Sequence, residues 1–212
     1  MAEPSIAEQK LTQYLNEAYG LEQRLETSLQ AHIAMATYAP YKKRLREHLT
    51  ETRRHAREVG KRIKQLGGEA TTLDVPGPSA VGEAAEAIVG GAQKAVALAQ
   101  GPLHAIRGTG PAEKQLKNAK SEYADESEEI ATYSAIEALA DAIADRDTVK
   151  LARAIRREEE RMRSYLEREI PRFTRAVATA EIPASQRRRP ASRAKATASR
   201  AKRPARSRSA AR

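Results

Sequence analysis

The chain has no cysteine, no tryptophan and one phenylalanine. Without cysteine there are no disulfides, thiolate metal sites or cysteine nucleophiles, which fits a reducing compartment. Aromatic residues are only 4% of the 212, seven of them tyrosine. Alanine, leucine, glutamate and arginine dominate instead, a composition that suits helices and not a sheet. No stretch reaches the roughly 18 uncharged apolar residues that a membrane span needs. The opening Met-Ala-Glu-Pro-Ser lacks the basic-then-apolar layout of a signal peptide. These absences predict an all-α, cytoplasmic protein with no membrane partner.

Charge divides the chain in two. The net value is +10, but residues 186–212 hold eleven Lys or Arg and no acid. Residues 1–185 therefore carry 27 basic and 28 acidic side chains, a net of −1. The expected organisation is a helical domain over residues 1–182 and a disordered basic tail over 183–212.

Apolar periodicity predicts four long helices. Ser5 and Glu8 form a capping-box pattern ahead of the first. Its inner face is Leu11, Leu15, Ala18, Leu25, Leu29 and Ala36, and it runs to about Tyr38. Pro40 suits the first position of the second helix. There Tyr41, Leu45, Leu49, Ala56, Val59, Ile63 and Leu66 face inward, and Gly67-Gly68 ends it. The third helix opens at Pro111 and ends near Asp145, with Asp147 a candidate cap for the fourth. The fourth buries Leu151, Ile155, Met162, Leu166 and Ile170, and Pro171 kinks or stops it. Between the second and third helices, Ser79 to His104 has modest helical character. A connection this long suggests a crossover with an extra helix, as in ferritin-like four-helix bundles rather than plain up-down ones.

Carboxylates interrupt these apolar faces. Glu22 falls between Ala18 and Leu25. Glu126 lies on the face of Leu116, Ala119, Tyr123, Ile130 and Tyr133, with Glu129 beside it. Glu51 sits near the face of the second helix, and Glu159 is on that of the fourth. An unpaired carboxylate inside an apolar stripe costs several kcal/mol. The candidates come from mid-helix on four helices, so antiparallel packing brings them to one depth. A pair of iron or manganese ions, with His55 as nitrogen donor, would neutralise them. His48 is placed to hydrogen-bond a ligand carboxylate rather than to ligate. Two blander arrangements stay open. Each glutamate head can reach water from a half-buried position, or Arg53, Arg54, Arg157 and Arg161 can pair with the set. Tyr123 and Tyr133, one turn from the carboxylates, read first as core residues.

These residues resemble the YciF-like (DUF892) family of ferritin-like bacterial stress proteins, over roughly Leu11 to Leu166. Leu21-Glu22-Gln23-Arg24-Leu25 is similar to its Ala-Glu-Lys-Gln-Leu segment. His48-Leu49-Thr50-Glu51-Thr52, followed by His55, looks like its His-Leu-x-Glu-Thr run. Glu126-x-x-Glu129-Ile130-Ala131-x-Tyr133 is similar to its third-helix signature, and Glu158-Glu159 then Leu166 to its last helix. The resemblance implies a ferritin-like fold, a two-iron centre and a role in stress. The chain departs from the wider ferritin-like Glu-x-x-His pattern. Arg54 stands three residues after Glu51, and Met162 three after Glu159. Ser127 and Glu128 replace the family's His-Tyr.

The tail is low-complexity and cannot bury enough apolar surface to fold alone. Its cations include Arg187, Arg188, Arg189, Arg193, Lys195, Arg200, Lys202, Arg203, Arg206 and Arg208. Eleven charges without an acid is the composition of an interaction arm, and DNA is the expected polyanion. It resembles the basic arms of linker histones and some bacterial nucleoid proteins. No aromatic residue interleaves the charges, so binding without sequence specificity is expected. The combined expectation is a ferritin-like carboxylate protein holding two irons, with manganese as the alternative metal. It would act in stress or in iron and peroxide handling, tethered to DNA and nucleoid-associated. Oxidase or peroxidase-like activity is compatible with that site, and a homodimer with the family. The rival is a non-enzymatic nucleoid-associated or adaptor protein with a metal-free bundle.

Overall fold

A computed structural model describes residues 4–71 and 110–187. Four helices follow in chain order: α1 (Ile6–Met35), α2 (Ala39–Gln65), α3 (Pro111–Ala142) and α4 (Arg146–Glu181), with a short 3₁₀ turn at Ala184–Gln186. The described residues contain no strand. The helix expected at Ser79 to His104 and the tail from Arg188 onward lie outside the described residues.

Side-chain pairs fix the helix directions. Arg53 of α2 reaches Glu26 of α1, and Asn16 near the start of α1 meets Glu69 and Thr71 just after α2, so α1 and α2 are antiparallel. His32 pairs with Glu122 and Tyr133 with Glu22, which sets α3 antiparallel to α1. Arg62 reaches Asp145, and His55 reaches Glu158, which sets α4 antiparallel to α2. The helices therefore run up, down, down, up. Tyr38 N–H donates to Gln115 Oε1, so α3 begins at the α1–α2 joint, the end of the bundle away from the C-terminus of α2. Residues 72–109 thus link opposite ends of the bundle, which is the ferritin-like connection.

The helix ends obey local chemistry. Ser5 and Glu8 form the full capping box at α1. α2 ends in a Schellman motif: Gly68 N–H bonds Ile63 O at 3.0 Å, Gly67 N–H bonds Lys64 O at 3.1 Å, and Gly67 takes φ +78°. Asp145, not Asp147, caps α4. Its carboxylate accepts from Thr148 N–H and pairs with Arg62, while Asp147 lies within the first turn. Pro171 does not stop α4, which continues to Glu181. Pro171 and Glu167, whose carbonyl loses its bond, are both solvent-exposed, so water can satisfy that carbonyl. Beyond the proline, buried Phe173 packs edge-on against Tyr38 and Tyr41 and holds the helix in place.

The α3–α4 joint repeats the Schellman pattern, with Asp145 N–H on Ala140 O and Ala144 N–H on Asp141 O. Here the left-handed position is filled by Ala144, at φ 59°. An L-residue pays about 1–2 kcal/mol there, and glycine does not. Ala144→Gly is expected to raise the unfolding free energy by about 1 kcal/mol in urea titrations, with the m-value unchanged.

Apolar burial comes in two blocks. Leu11, Leu15, Ala18, Val59, Ile63, Tyr133, Ile136, Ala140, Ala152 and Ile155 form one. Leu25, Leu29, Tyr41, Leu45, Leu116, Ala119, Met162, Leu166 and Phe173 form the other. In sequence, every helix switches blocks across its central carboxylate or histidine. The gap between the blocks is a polar layer.

Candidate metal centre

Glu22, His48, His55, Glu126 and Glu159 are each 0% exposed in that layer, and Glu129 is 1% exposed. They come from all four helices. Two groups of three bring one ligand atom each to within 4.8 Å of one another: Glu22, His55 and Glu159, and His48, Glu126 and Glu159. Glu159 is common to both. His55 Nδ1 lies 2.8 Å from Glu159 Oε1 and 3.5 Å from Glu22 Oε1. His48 Nε2 lies 2.8 Å from Glu126 Oε1 and 3.6 Å from Glu159 Oε2.

The 2.8 Å contacts are not aligned as hydrogen bonds. His48 Nε2, His55 Nδ1 and both oxygens of Glu126, Glu129 and Glu159 have no hydrogen-bond partner. These polar atoms converge on one another without an aligned hydrogen bond among them. The outer ring nitrogens are engaged. His48 Nδ1–H donates to Glu51 at 3.1 Å and His55 Nε2–H to Glu158 at 2.8 Å. Arg44 and Arg54 anchor those two carboxylates in turn. A carboxylate behind each imidazole fixes the tautomer that turns the free nitrogen inward, as in carboxylate–histidine–metal arrangements. Tyr133 O–H donates to Glu22 Oε1 at 2.5 Å, which orients a third carboxylate.

The electrostatics describe a cavity closed by protons. Burial pushes the Glu129 and Glu126 carboxyls well above the usual range, with neighbouring carboxylates adding to the effect. Burial also raises Glu22. For the imidazoles burial works the other way, yet the facing carboxylates prevail. They hold His55 up to about 10 and His48 well above its ordinary value. Glu159, between the two imidazoles, is pulled below its usual value despite its burial. Four carboxylates balance two divalent cations, so metal can take over the role of these protons. The donor set of oxygen and imidazole nitrogen suits iron or manganese.

Of the residues expected from sequence, Glu22, His55, Glu126, Glu129 and Glu159 meet in this layer. Glu51 does not. Its side chain is 28% exposed and is held by Arg44 and His48, which pull its pKa down to about 2 against its partial burial. Arg44 lies seven residues earlier, two helical turns, on the same ridge as Glu51. His48 takes the inward place instead. The signal for it was available, since His48, Thr52 and His55 share one face at i, i+4 and i+7, and all three are 0% exposed. The Glu–Arg alternative does not close the centre. Among the described residues, Arg53 pairs with Glu26, Arg54 and Arg161 with Glu158, and no guanidinium reaches the central four carboxylates. Glu51→Gln is expected to weaken Co(II) binding about 10-fold to 100-fold, with stoichiometry kept, because it acts through His48. Calorimetric titration reads both quantities.

Residues 7–101 match the family described as "Domain of unknown function (DUF892)". No curated protein sequence matches the chain. Solved structures share its fold. One is a protein of Xanthomonas campestris, at 20% identity and TM-score 0.60, covering 82% of this chain and 96% of that one. The Escherichia coli stress protein YciF matches at 17% identity and TM-score 0.57, covering 81% and 98%. The bacterioferritin of Desulfovibrio desulfuricans, described with a diiron site, matches at 19% identity and TM-score 0.60, covering 85% and 89%. With its helices running up, down, down, up around a buried carboxylate–histidine layer, the chain shares the fold of these structures, and its first half matches the DUF892 model.

Proposed function

We propose that the bundle holds two iron ions, or manganese in their place, between Glu22, His48, His55, Glu126, Glu129 and Glu159. The observation that carries this reading is the set of buried carboxylate oxygens and inward ring nitrogens with no hydrogen-bond partner. Such atoms cost about 1–3 kcal/mol each when left unmade, more when charged. Bound as a ferrous pair, the metal would supply two one-electron reductants for peroxide or oxygen. The protein's own part is to keep six donors dry, orient them through Tyr133, Glu51 and Glu158, and release the protons that the cations displace. Tyr133, hydrogen-bonded to Glu22 with its pKa raised by burial, stays a donor at all working pH values. Among the described residues no helix is long and apolar enough to cross a membrane.

The reading extends to iron or peroxide handling under stress, with the acid-free basic tail tethering the bundle to DNA. The direct test is metal analysis of the full chain purified without chelator, then reconstituted anaerobically with Fe(II). Two ions per chain are expected. Less than about one, unrecovered on reconstitution, leaves a metal-free scaffold. The tail is tested separately by duplex DNA binding at rising salt, at roughly 0.9 log units of affinity per decade of salt per phosphate contact. Substituting Gln for Arg187, Arg188, Arg189, Arg193, Lys195 and Arg200 should flatten that slope by about 5. An unchanged slope would remove the tether.

A further inference from the structure

The outer face of α4 carries a second cationic feature, separate from the tail. At 100° per residue, Lys150, Arg157, Arg161, Arg168 and Arg175 fall within about 40° of one another. No acidic residue of α4 shares that sector, and all five side chains are exposed. Ile155, Met162, Leu166 and Phe173, which α4 buries, point roughly the opposite way. A shallow, open depression of about 550 Å³ runs along the middle of the row, lined by Arg157, Glu160, Arg161, Ser164 and Arg168.

Outside the row the cations of α2 and α4 are mixed, and exposed Arg46, Arg57 and Lys64 of α2 also have no ion pair among the described residues. Arg44, Arg53, Arg54, Arg62, Arg153, Arg156 and Arg172 are each matched to a carboxylate. Within the row only Arg161 has an acidic neighbour, Glu158 at 3.6 Å. Among the described residues Lys150, Arg157, Arg168 and Arg175 have none. Neighbouring members are spaced about 6 to 10.5 Å along the helix axis, and the whole row spans about 38 Å. That length covers about eleven base-pair steps of a duplex at 3.4 Å each. Guanidinium forks suit phosphate better than ammonium does, and four of the five are arginine.

We infer that this face of α4 is a docking track for the phosphate backbone of double-stranded nucleic acid. The row points into solvent and is followed in the chain by the basic segment that opens at Arg187, so one duplex can engage both. An anionic membrane fits less well. A surface-bound helix needs a free apolar face, and α4 spends its apolar face on the core. The exposed large apolar side chains among the described residues are Ile6, Met35 and Ile182, none of them inside the row. The track is read from α4 alone and does not depend on the metal centre or on the tail.

The test compares full-length chains. The first variant carries Gln at Lys150, Arg157, Arg161, Arg168 and Arg175. The second carries the tail substitutions named above. The third, a control, carries Gln at Lys114, Lys117 and Lys120 on α3. Binding to a 30-base-pair duplex is followed by anisotropy from 50 to 300 mM salt. Glutamine keeps helix propensity, and circular dichroism confirms the fold. If the fivefold variant does not fold, the single variants Arg168→Gln and Arg175→Gln are used, each expected to lower the slope by about 0.9. The fivefold variant should lose as much as about 4.5 from the log–log slope and at least tenfold in affinity at 100 mM salt. The control should change little. An unchanged slope in the α4 variant overturns the track. So does an equal loss per charge in the α3 control, which would mean a diffuse charge effect. A variant that loses binding only to phosphatidylglycerol vesicles and keeps DNA binding also overturns it. Full DNA binding after tail substitution removes the tether and leaves the track standing.

Discussion

Replacing Glu159 by alanine is expected to abolish binding of both metal ions, whereas Glu22→Ala should cost one. Glu159 is the side chain shared by the two ligand groups, with Oε1 toward His55 and Oε2 toward His48. Removing it takes one donor from each group, leaving Glu22 with His55 and Glu126 with His48, and Glu129 cannot replace two oxygens at once. The expected loss in Co(II) affinity is about 1000-fold or more at both positions, roughly 4 kcal/mol each at 1.4 kcal/mol per decade. Visible absorption of the Co(II) protein and metal counting by mass spectrometry read the difference. The metal-free variant should also be less stable. In the absence of metal, Glu159 is an anion between two imidazoles held above their ordinary pKa by their carboxylate neighbours. Truncating the shared partner of buried charges costs about 3–5 kcal/mol. Glu159→Gln preserves volume and separates the two effects, keeping more of the fold while losing the metal. Two ions retained in Glu159→Ala would show that the convergence on Glu159 has no ligating role.

The same residues show how far a sequence can be read. Glu22, Glu126, Glu129 and Glu159 stood out because a carboxylate on an apolar helical face breaks a pattern set by residues on either side. The four-helix order followed from periodicity, capping and the long segment between α2 and α3. The choice between His48 and Glu51 did not follow. Both lie close to the inner face of α2, and what separates them is Arg44, two turns away, which claims Glu51 from the outside. That contact depends on side-chain reach, not on hydrophobic period. The α3–α4 joint posed the same kind of problem, where Asp147 read as the cap and Asp145, two residues earlier, as the end of the third helix. The Arg62 guanidinium from α2 and the Schellman turn at Ala144 settle it for Asp145. Pro171 looked like a terminus because propensity is local. Helix α4 passes through it because Phe173 buries its ring beyond it and the lost bond faces water.

Metal should change both the size and the sign of the pH response of folding. Without metal, His55 titrates near 10 in the folded chain against an ordinary 6.5, and His48 is shifted in the same direction. A raised histidine pKa contributes stability that is fully present below about 6.5 and is lost as pH climbs through the folded value. Glu126 and Glu129 act in the same sense. Buried as neutral acids they fold without an ionic cost, and rising pH imposes one. Glu51 sets the acid limit, since its stabilising contribution is present above about 4.5 and is lost as pH falls through about 2. The metal-free bundle is therefore expected to be most stable near pH 4 to 5 and to weaken steadily to pH 9. Metal reverses that slope, because ligation needs the deprotonated carboxyls and neutral imidazoles that high pH provides. At a free-ion concentration 100 times Kd, two sites add about 5 kcal/mol, worth roughly 10 to 20 °C in Tm for a domain of this size. Calorimetric scans at pH 6, 7 and 8, with and without Mn(II), should show the gap between the two forms widening with pH. In Glu159→Gln the gap should close at every pH. Parallel curves in the wild-type chain would mean that cations bind elsewhere than in the protonated layer between the two apolar blocks.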